Sequence, residues 1–182
     1  MNTYSVKTTT ELTAAEIVIM INLWEVKEWM GYDEDTFKAE FSQSEFHLLY
    51  NPQKELVSLA RIFHTLPITI EGIKYQFPEF VGFVSAQQKK GYGSELMGKI
   101  VNNLKSRNIE ALGFCTQELR PFYEKVNIPI LYDKARALRE LDDRGIWVFI
   151  DDDDDILDLT LSKKSIKVLN NLGDSVYGFI AE

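Results

Sequence analysis

A chain of 182 residues, 45% hydrophobic and 12% aromatic, can bury one substantial core, and its lone cysteine excludes an internal disulfide. A formal net charge of −8 leaves no basic footprint for nucleic acid or an anionic membrane surface and favours cationic partners. No apolar run reaches the roughly 18 residues of a membrane span, and MNTYSVKTTTELT lacks the order of a signal peptide, so the sequence predicts a soluble, cytoplasmic protein. No CxxC or HExxH spacing is present, so no metal is expected.

Taken in chain order, YSVKTT (4–9) has the composition of a first strand. Thr13 and Glu16 make a T-x-x-E capping box, and Ile17, Met20, Ile21 and Trp24 recur at helical spacing, which predicts a helix over about 14–29. DTFKAEF suggests a short second helix. FHLLY (46–50), the turn NPQK and LVSLARIF (56–63) predict a hairpin. HTLPITIEGIKYQF (64–77) extends the sheet through a second turn at Glu71-Gly72.

FVGFV (80–84) reads as a short apolar strand, followed by the loop QQKKGYGS and a helix whose face carries Leu96, Met97, Ile100, Val101 and Leu104. EALGF (110–114) is a further strand, TQELRPFYEKV (116–126) a helix entered near Pro121, and GIWVFI (145–150) a strongly apolar strand. LSKKSIKVLNNLG (161–173) reads as a terminal helix stopped by Gly173. Acidic residues cluster at Asp33, Glu34 and Asp35, at Asp142 and Asp143, and in the run Asp151 to Asp155, which by itself reads as a solvated loop. The layout is a single α/β domain, a mixed sheet with helices on its faces.

The loop between FVGFV and the amphipathic helix holds the informative chemistry. Glycines free the backbone to curl, and a helix start offers unpaired N–H groups and the positive end of the macrodipole, so the stretch suits a phosphate-bearing ligand. Gly93 to Lys99 fits G-x-x-x-x-G-K, but Ile100 stands where a nucleotide-triphosphate P-loop needs Ser or Thr. The dinucleotide pattern G-x-G-x-x-G lacks its third glycine.

Gln88-Lys89-Lys90-Gly91-Tyr92-Gly93-Ser94, between a strand and an amphipathic helix, resembles the acyl-CoA-binding signature of the GNAT N-acetyltransferase superfamily. PEFVGFVSAQQKKGYGSELM is similar to that family's fourth strand, pyrophosphate loop and third helix, and LGFCTQELRPFYEKVNI to its fifth strand and the helix carrying F-Y-E-K. Ser85 and the VNI after Phe122-Tyr123-Glu124-Lys125 depart from the pattern without removing a chemical group.

The resemblance implies a GNAT fold over 1–182: a mixed, mostly antiparallel central sheet of about six or seven strands flanked by helices, with a helical extension at 161–182. It implies acetyl-coenzyme A as cosubstrate, its pyrophosphate met by backbone N–H groups of Lys89 to Ser94 with Gln88 opening the motif, and its pantetheine arm paired with the strand around Val81, Phe83 and Val84. Tyr123 matches the general acid and Glu79 the acidic residue that takes the amine's proton, often through water. A backbone N–H of Val81 or Phe83 would polarise the thioester carbonyl.

Cys115 reads as an apolar filler rather than a nucleophile, because nothing places His47 or His64 beside it. A weaker likeness, in HTLPITIEGIKYQFPE and LDDRGIWVFI, is to aminoglycoside 2′-N-acetyltransferases, and implies acceptor contacts at Asp143 and near Asp33 and Asp35. The acceptor expected is a small cationic amine. A protein-lysine acetyltransferase and a non-catalytic acyl-CoA-binding module are the alternatives, and the protein would be a monomer or homodimer.

Overall fold

The computed structural model describes residues 1–150 and 153–181. The chain divides into two compact units, Met1–His64 with Phe80–Asn102 and Thr65–Glu79 with Asn103–Glu182.

In the first unit, β1 (Thr3–Thr8), β2 (Ser44–Tyr50) and the first part of β3 (Leu56–Ile70) pair antiparallel, in register Tyr4 with Leu49 and Leu48 with Leu59. The later part of β4 (Ile73–Ser85) follows β3 in strand order. FVGFV is therefore the end of one long strand rather than a short one, since the turn at Glu71 and Gly72 has both residues left-handed and lets the ladder run on past Phe77.

The capping box forms as predicted: Glu16 N donates to Thr13 Oγ1 at 3.3 Å and Thr13 N to Glu16 Oε2 at 2.9 Å. The helix it opens, α1 (Ala14–Trp24), is shorter than the sequence pattern. Glu25 turns left-handed at φ 56°, and a single 3₁₀ turn over Lys27–Trp29 returns Trp29 edge-on to Trp24, centroids 5.3 Å apart. The apolar period thus outlasts the helix. Trp24, Phe37 of α2 (Glu34–Glu40), Phe41 and Phe46 complete an aromatic core with Ile17, Met20 and Leu48.

Gly82 interrupts β4 with φ +64°, and Trp24 Nε1 donates to its carbonyl at 2.6 Å. A Cβ at this position would lie 3.0 Å from Trp24 Nε1. Gly82→Ala should therefore lower stability by about 1–3 kcal/mol, adding backbone strain to a contact with a ring already locked by packing. Thermal unfolding checks this, and an unchanged midpoint would mean that the break is not held by Trp24.

The first unit ends in α3 (Tyr92–Ser106), which the second unit continues from Asn103. In the second unit the strands lie in the order β6-β9-β5-β4-β3-β10-β7-β8. These are β5 (Leu112–Cys115), β6 (Ile130–Leu131), β7 (Leu138–Leu141), β8 (Trp147–Phe149), β9 (Asp155–Asp158) and β10 (Gly178–Ile180), with the turn-end halves of β3 and β4. Pairing is mostly antiparallel, and β10 with β7 is parallel. The helices here are α4 (Arg120–Lys125) and α5 (Lys163–Asn170), the latter capped by Ser162 and ending before Gly173.

The expected α/β class with a mostly antiparallel sheet is what the chain adopts, with ten strands among the described residues rather than six or seven. The strongly apolar GIWVFI forms an edge strand. Trp147 is covered edge-on by Phe179 and Phe149 by the Arg139 guanidinium, and both rings stay largely exposed. Among the described residues no helix is long and apolar enough to cross a membrane, and no cluster of metal-ligating side chains occurs.

Candidate active-site elements

In the first unit, β4 ends at Ser85 and exposed backbone leads to Tyr92, where α3 begins. Lys89 (φ 61°) and Gly91 (φ 82°) are both left-handed and flank Lys90, an alternation that turns successive N–H groups toward one side. Glu95 N donates to Gly91 O at 3.0 Å, the first helical bond. The amides of Tyr92, Gly93 and Ser94 therefore precede the helical ladder and remain for an external acceptor. Leu96, Met97 and Ile100 are fully buried, which seats the helix and fixes the loop's exit.

The strand residues Val81, Phe83 and Val84 are half-buried around the break at Gly82. Within this unit β4 is the terminal strand, after β1, β2 and β3. A glycine inside an apolar strand is the sequence signal for such a break. Asp33 and Asp35 are exposed. Asp33 caps α2, accepting from Thr36 N at 2.8 Å, and that bonding with the Thr36 hydroxyl and amide lowers its pKa. His47 is buried, hydrogen-bonded to Tyr4 Oη at 2.6 Å and to Glu45 at 3.1 Å, a packed polar cluster.

The second unit holds Tyr123, Glu79, Cys115 and Asp143. Tyr123 is only 4% exposed, and among the described residues its hydroxyl has no hydrogen-bond partner. Burial pushes its phenol pKa up, with Cys115 and Asp153 adding, so the proton stays on across the neutral range. In the VNI segment Asn127 adopts φ 59° at the helix end, a left-handed cap that asparagine supplies in place of glycine. Ile128 N then donates to Tyr123 O at 2.9 Å and Asn127 N to Glu124 O at 3.0 Å, closing the turn.

Cys115 is buried and its thiol is pushed up to about 12, first by burial and then by Asp155 and Asp153. It remains a protonated packing group, in line with the sequence reading. Glu79 is half-buried in β4, and Asp143 is exposed in the turn joining β7 to β8.

The aspartate run is not simply a solvated loop, although Asp151 and Asp152 lie outside the described residues. Asp155 is fully buried in β9, opposite Cys115 in β5, and takes a two-pronged bond from Arg120 at 2.5 and 2.7 Å. Asp154 accepts from Arg136 Nε at 2.7 Å and Gln117 N at 2.9 Å. Periodicity could not reveal this, because the partners lie 35 and 18 residues away. An open hollow of about 670 Å³ is lined by Glu118, Asp153 and Asp154 against one guanidinium, Arg136, with Thr116, Phe149 and Ile150 as its other walls. Asp143 does not line it.

No protein-family model and no curated protein matches the chain. Solved structures do. The GNAT family N-acetyltransferase YhbS from Escherichia coli, solved in complex with CoA, aligns with 98% of this chain and 88% of its own at 12% identity and TM-score 0.58. An N-acetyltransferase from Staphylococcus aureus Mu50 aligns with 87% of this chain and 98% of its own at 14% identity and TM-score 0.55. A probable N-acyltransferase from Enterococcus faecalis V583 matches 71% of this chain at 16% identity and TM-score 0.52, and this chain spans a third of that protein, 33% of its length. At such identities the likeness is one of architecture, and it establishes that this chain has the fold of the GNAT N-acetyltransferases.

Proposed function

We propose that the protein is an acetyl-CoA-dependent N-acetyltransferase acting on a primary amine, with a small cationic molecule as acceptor. The strongest support is the loop into α3, where left-handed Lys89 and Gly91 and the free first-turn amides of Tyr92, Gly93 and Ser94 open the helix in a fold whose relative YhbS was solved with CoA. The residues present fit such a cosubstrate: the loop is exposed, and nothing lies within 4 Å of where a Gly91 side chain would stand. Residues Lys89 to Ser94, entered through Gln88, would hold the pyrophosphate, and backbone around Val81, Phe83 and Val84 would pair with the pantetheine amides.

Bound acetyl-CoA supplies the thioester. Tyr123, kept protonated by burial, would give its proton to the sulfur as the C–S bond breaks, and Glu79 would take the amine's proton through water. An N–H of Val81 or Phe83 beside the break at Gly82 would polarise the carbonyl.

The acidic hollow supports a cationic acceptor. Three carboxylates against one guanidinium leave it negative, Phe149 offers an apolar wall, and the net charge of −8, to which exposed Asp33, Asp35 and Asp143 contribute, draws cations in. Its open form also admits a lysine side chain presented by a peptide.

The acceptor class is tested by salt. Apparent KM for a di- or polyamine should rise with ionic strength more steeply than KM for a mono-amine of similar size, because charge attraction is screened over roughly 8 Å at physiological salt. More efficient acetylation of neutral or acidic amines than of every polycation tried would remove the cationic assignment, and preference for a lysine peptide would favour the second reading.

A further inference from the structure

We propose that Arg120 and Asp155 are positioning residues for catalysis: an ionic clamp on a buried carboxylate that sets the α4 turn carrying Tyr123. This rests on Tyr123 being the proton donor. Six residues are too few for a helix to hold itself in water, and α4 starts from Leu119 without a side-chain cap. Its hold comes from elsewhere. Asp155, 0% exposed, accepts Arg120 Nε at 2.5 Å, Arg120 Nη2 at 2.7 Å and Asp133 N at 2.7 Å, so one carboxylate is bonded on both oxygens. Arg120 Nη2 also reaches Asp133 Oδ1 at 2.9 Å.

The adjoining residue secures the other end of the turn. Tyr132 Oη donates to Glu124 at 2.8 Å, and its ring lies 5.2 Å from the Arg120 guanidinium. Positions 132 and 133 therefore grip α4 three residues before Tyr123 and one residue after it. For stability alone this is a poor choice, since an apolar pair of similar volume usually holds a buried site at least as well as an ion pair. A planar fork on a fixed carboxylate offers something apolar packing does not, which is a defined direction for the helix. An error of about 1 Å in a reacting group can cost on the order of 100-fold in rate, so direction is what the acid needs.

Five forms of the full chain separate the possibilities: Arg120→Lys, which keeps the charge and loses the fork; Arg120→Met with Asp155→Leu, which replaces the pair by apolar side chains; Tyr123→Phe alone; and each of the first two combined with Tyr123→Phe. The clamp predicts kcat lower by about 10- to 100-fold in both variants, with acetyl-CoA affinity within twofold by calorimetry and, for the apolar pair, a thermal midpoint lowered only by what the lost acceptor of the Asp133 N–H costs. In the Tyr123→Phe background the same changes should cost less than about threefold further, because their effect passes through the phenol. Native kcat in the folded variants, or equal losses with and without Tyr123, would overturn the clamp while leaving Tyr123 as the acid. If Tyr123→Phe alone kept full turnover, the reading of Tyr123 would fail and the clamp with it.

Discussion

Tyr123→Phe should leave acetyl-CoA affinity within about twofold while lowering turnover by about 10²–10⁴-fold, the usual contribution of a placed general acid. The substitution removes one oxygen from a side chain that is 4% exposed and has no hydrogen-bond partner for its hydroxyl among the described residues. Packing therefore changes little, and no buried donor is orphaned. Because burial raises the phenol's pKa, its acid form persists through neutral pH. Any rise in rate with pH in the native protein then reports deprotonation of the amine or its base rather than of Tyr123. Steady-state kinetics with calorimetry of acetyl-CoA binding checks the split. A loss of turnover below a few-fold across pH would make Tyr123 a packing residue.

Gly91→Asp acts on the other half of the proposed chemistry and should weaken acetyl-CoA binding by about 10- to 100-fold, a carboxylate facing a pyrophosphate across a partly desolvated loop. The choice of aspartate isolates this effect. Nothing stands within 4 Å of the new Cβ, so the cost to folding is confined to the backbone strain of a non-glycine residue at φ +82°, about 1–2 kcal/mol. Thermal unfolding should show only the modest loss that this strain brings, and a Gly91→Ala control, strained alike but uncharged, should keep more of the affinity. Native affinity in the folded variant would take the loop out of the cosubstrate site.

The parts of the fold legible in sequence are those whose physics is local. The capping box at Thr13 and Glu16, the hairpin turn at Glu71-Gly72 and the buried face of Leu96, Met97 and Ile100 each depend on neighbours within a few residues. What stayed hidden depends on partners far along the chain. The end of α1 at Glu25 is set by Trp29 packing back on Trp24, so the periodicity ran past the helix. Asp155 can be buried in a strand because Arg120 and the Asp133 amide bond both its oxygens, and without those distant partners a row of aspartates reads as solvent-facing. GIWVFI is strongly apolar, yet it forms an edge strand whose Trp147 meets Phe179 edge-on and whose Phe149 lies under Arg139, both rings remaining largely exposed.

The candidate site divides the same way. The glycine loop was visible because backbone geometry demands glycine at Gly91, and Tyr123 because its F-Y-E-K setting resembles a known family. The acidic hollow of Glu118, Asp153 and Asp154 was not visible, since it joins residues separated by more than thirty positions, and the aspartate singled out instead, Asp143, stands in an exposed turn.

The central claim, amine-dependent acetyl transfer from acetyl-CoA, is tested most directly by following free CoA thiol and acetylated amine together in one reaction of the purified protein. Transfer predicts that thiol appears only when an amine is present, in one-to-one amount with an N-acetyl product seen by mass spectrometry, and that both signals fall together in Tyr123→Phe. Acetyl-CoA that binds but releases no thiol with any amine, cationic or peptidic, would contradict it and leave a binding module in place of an enzyme.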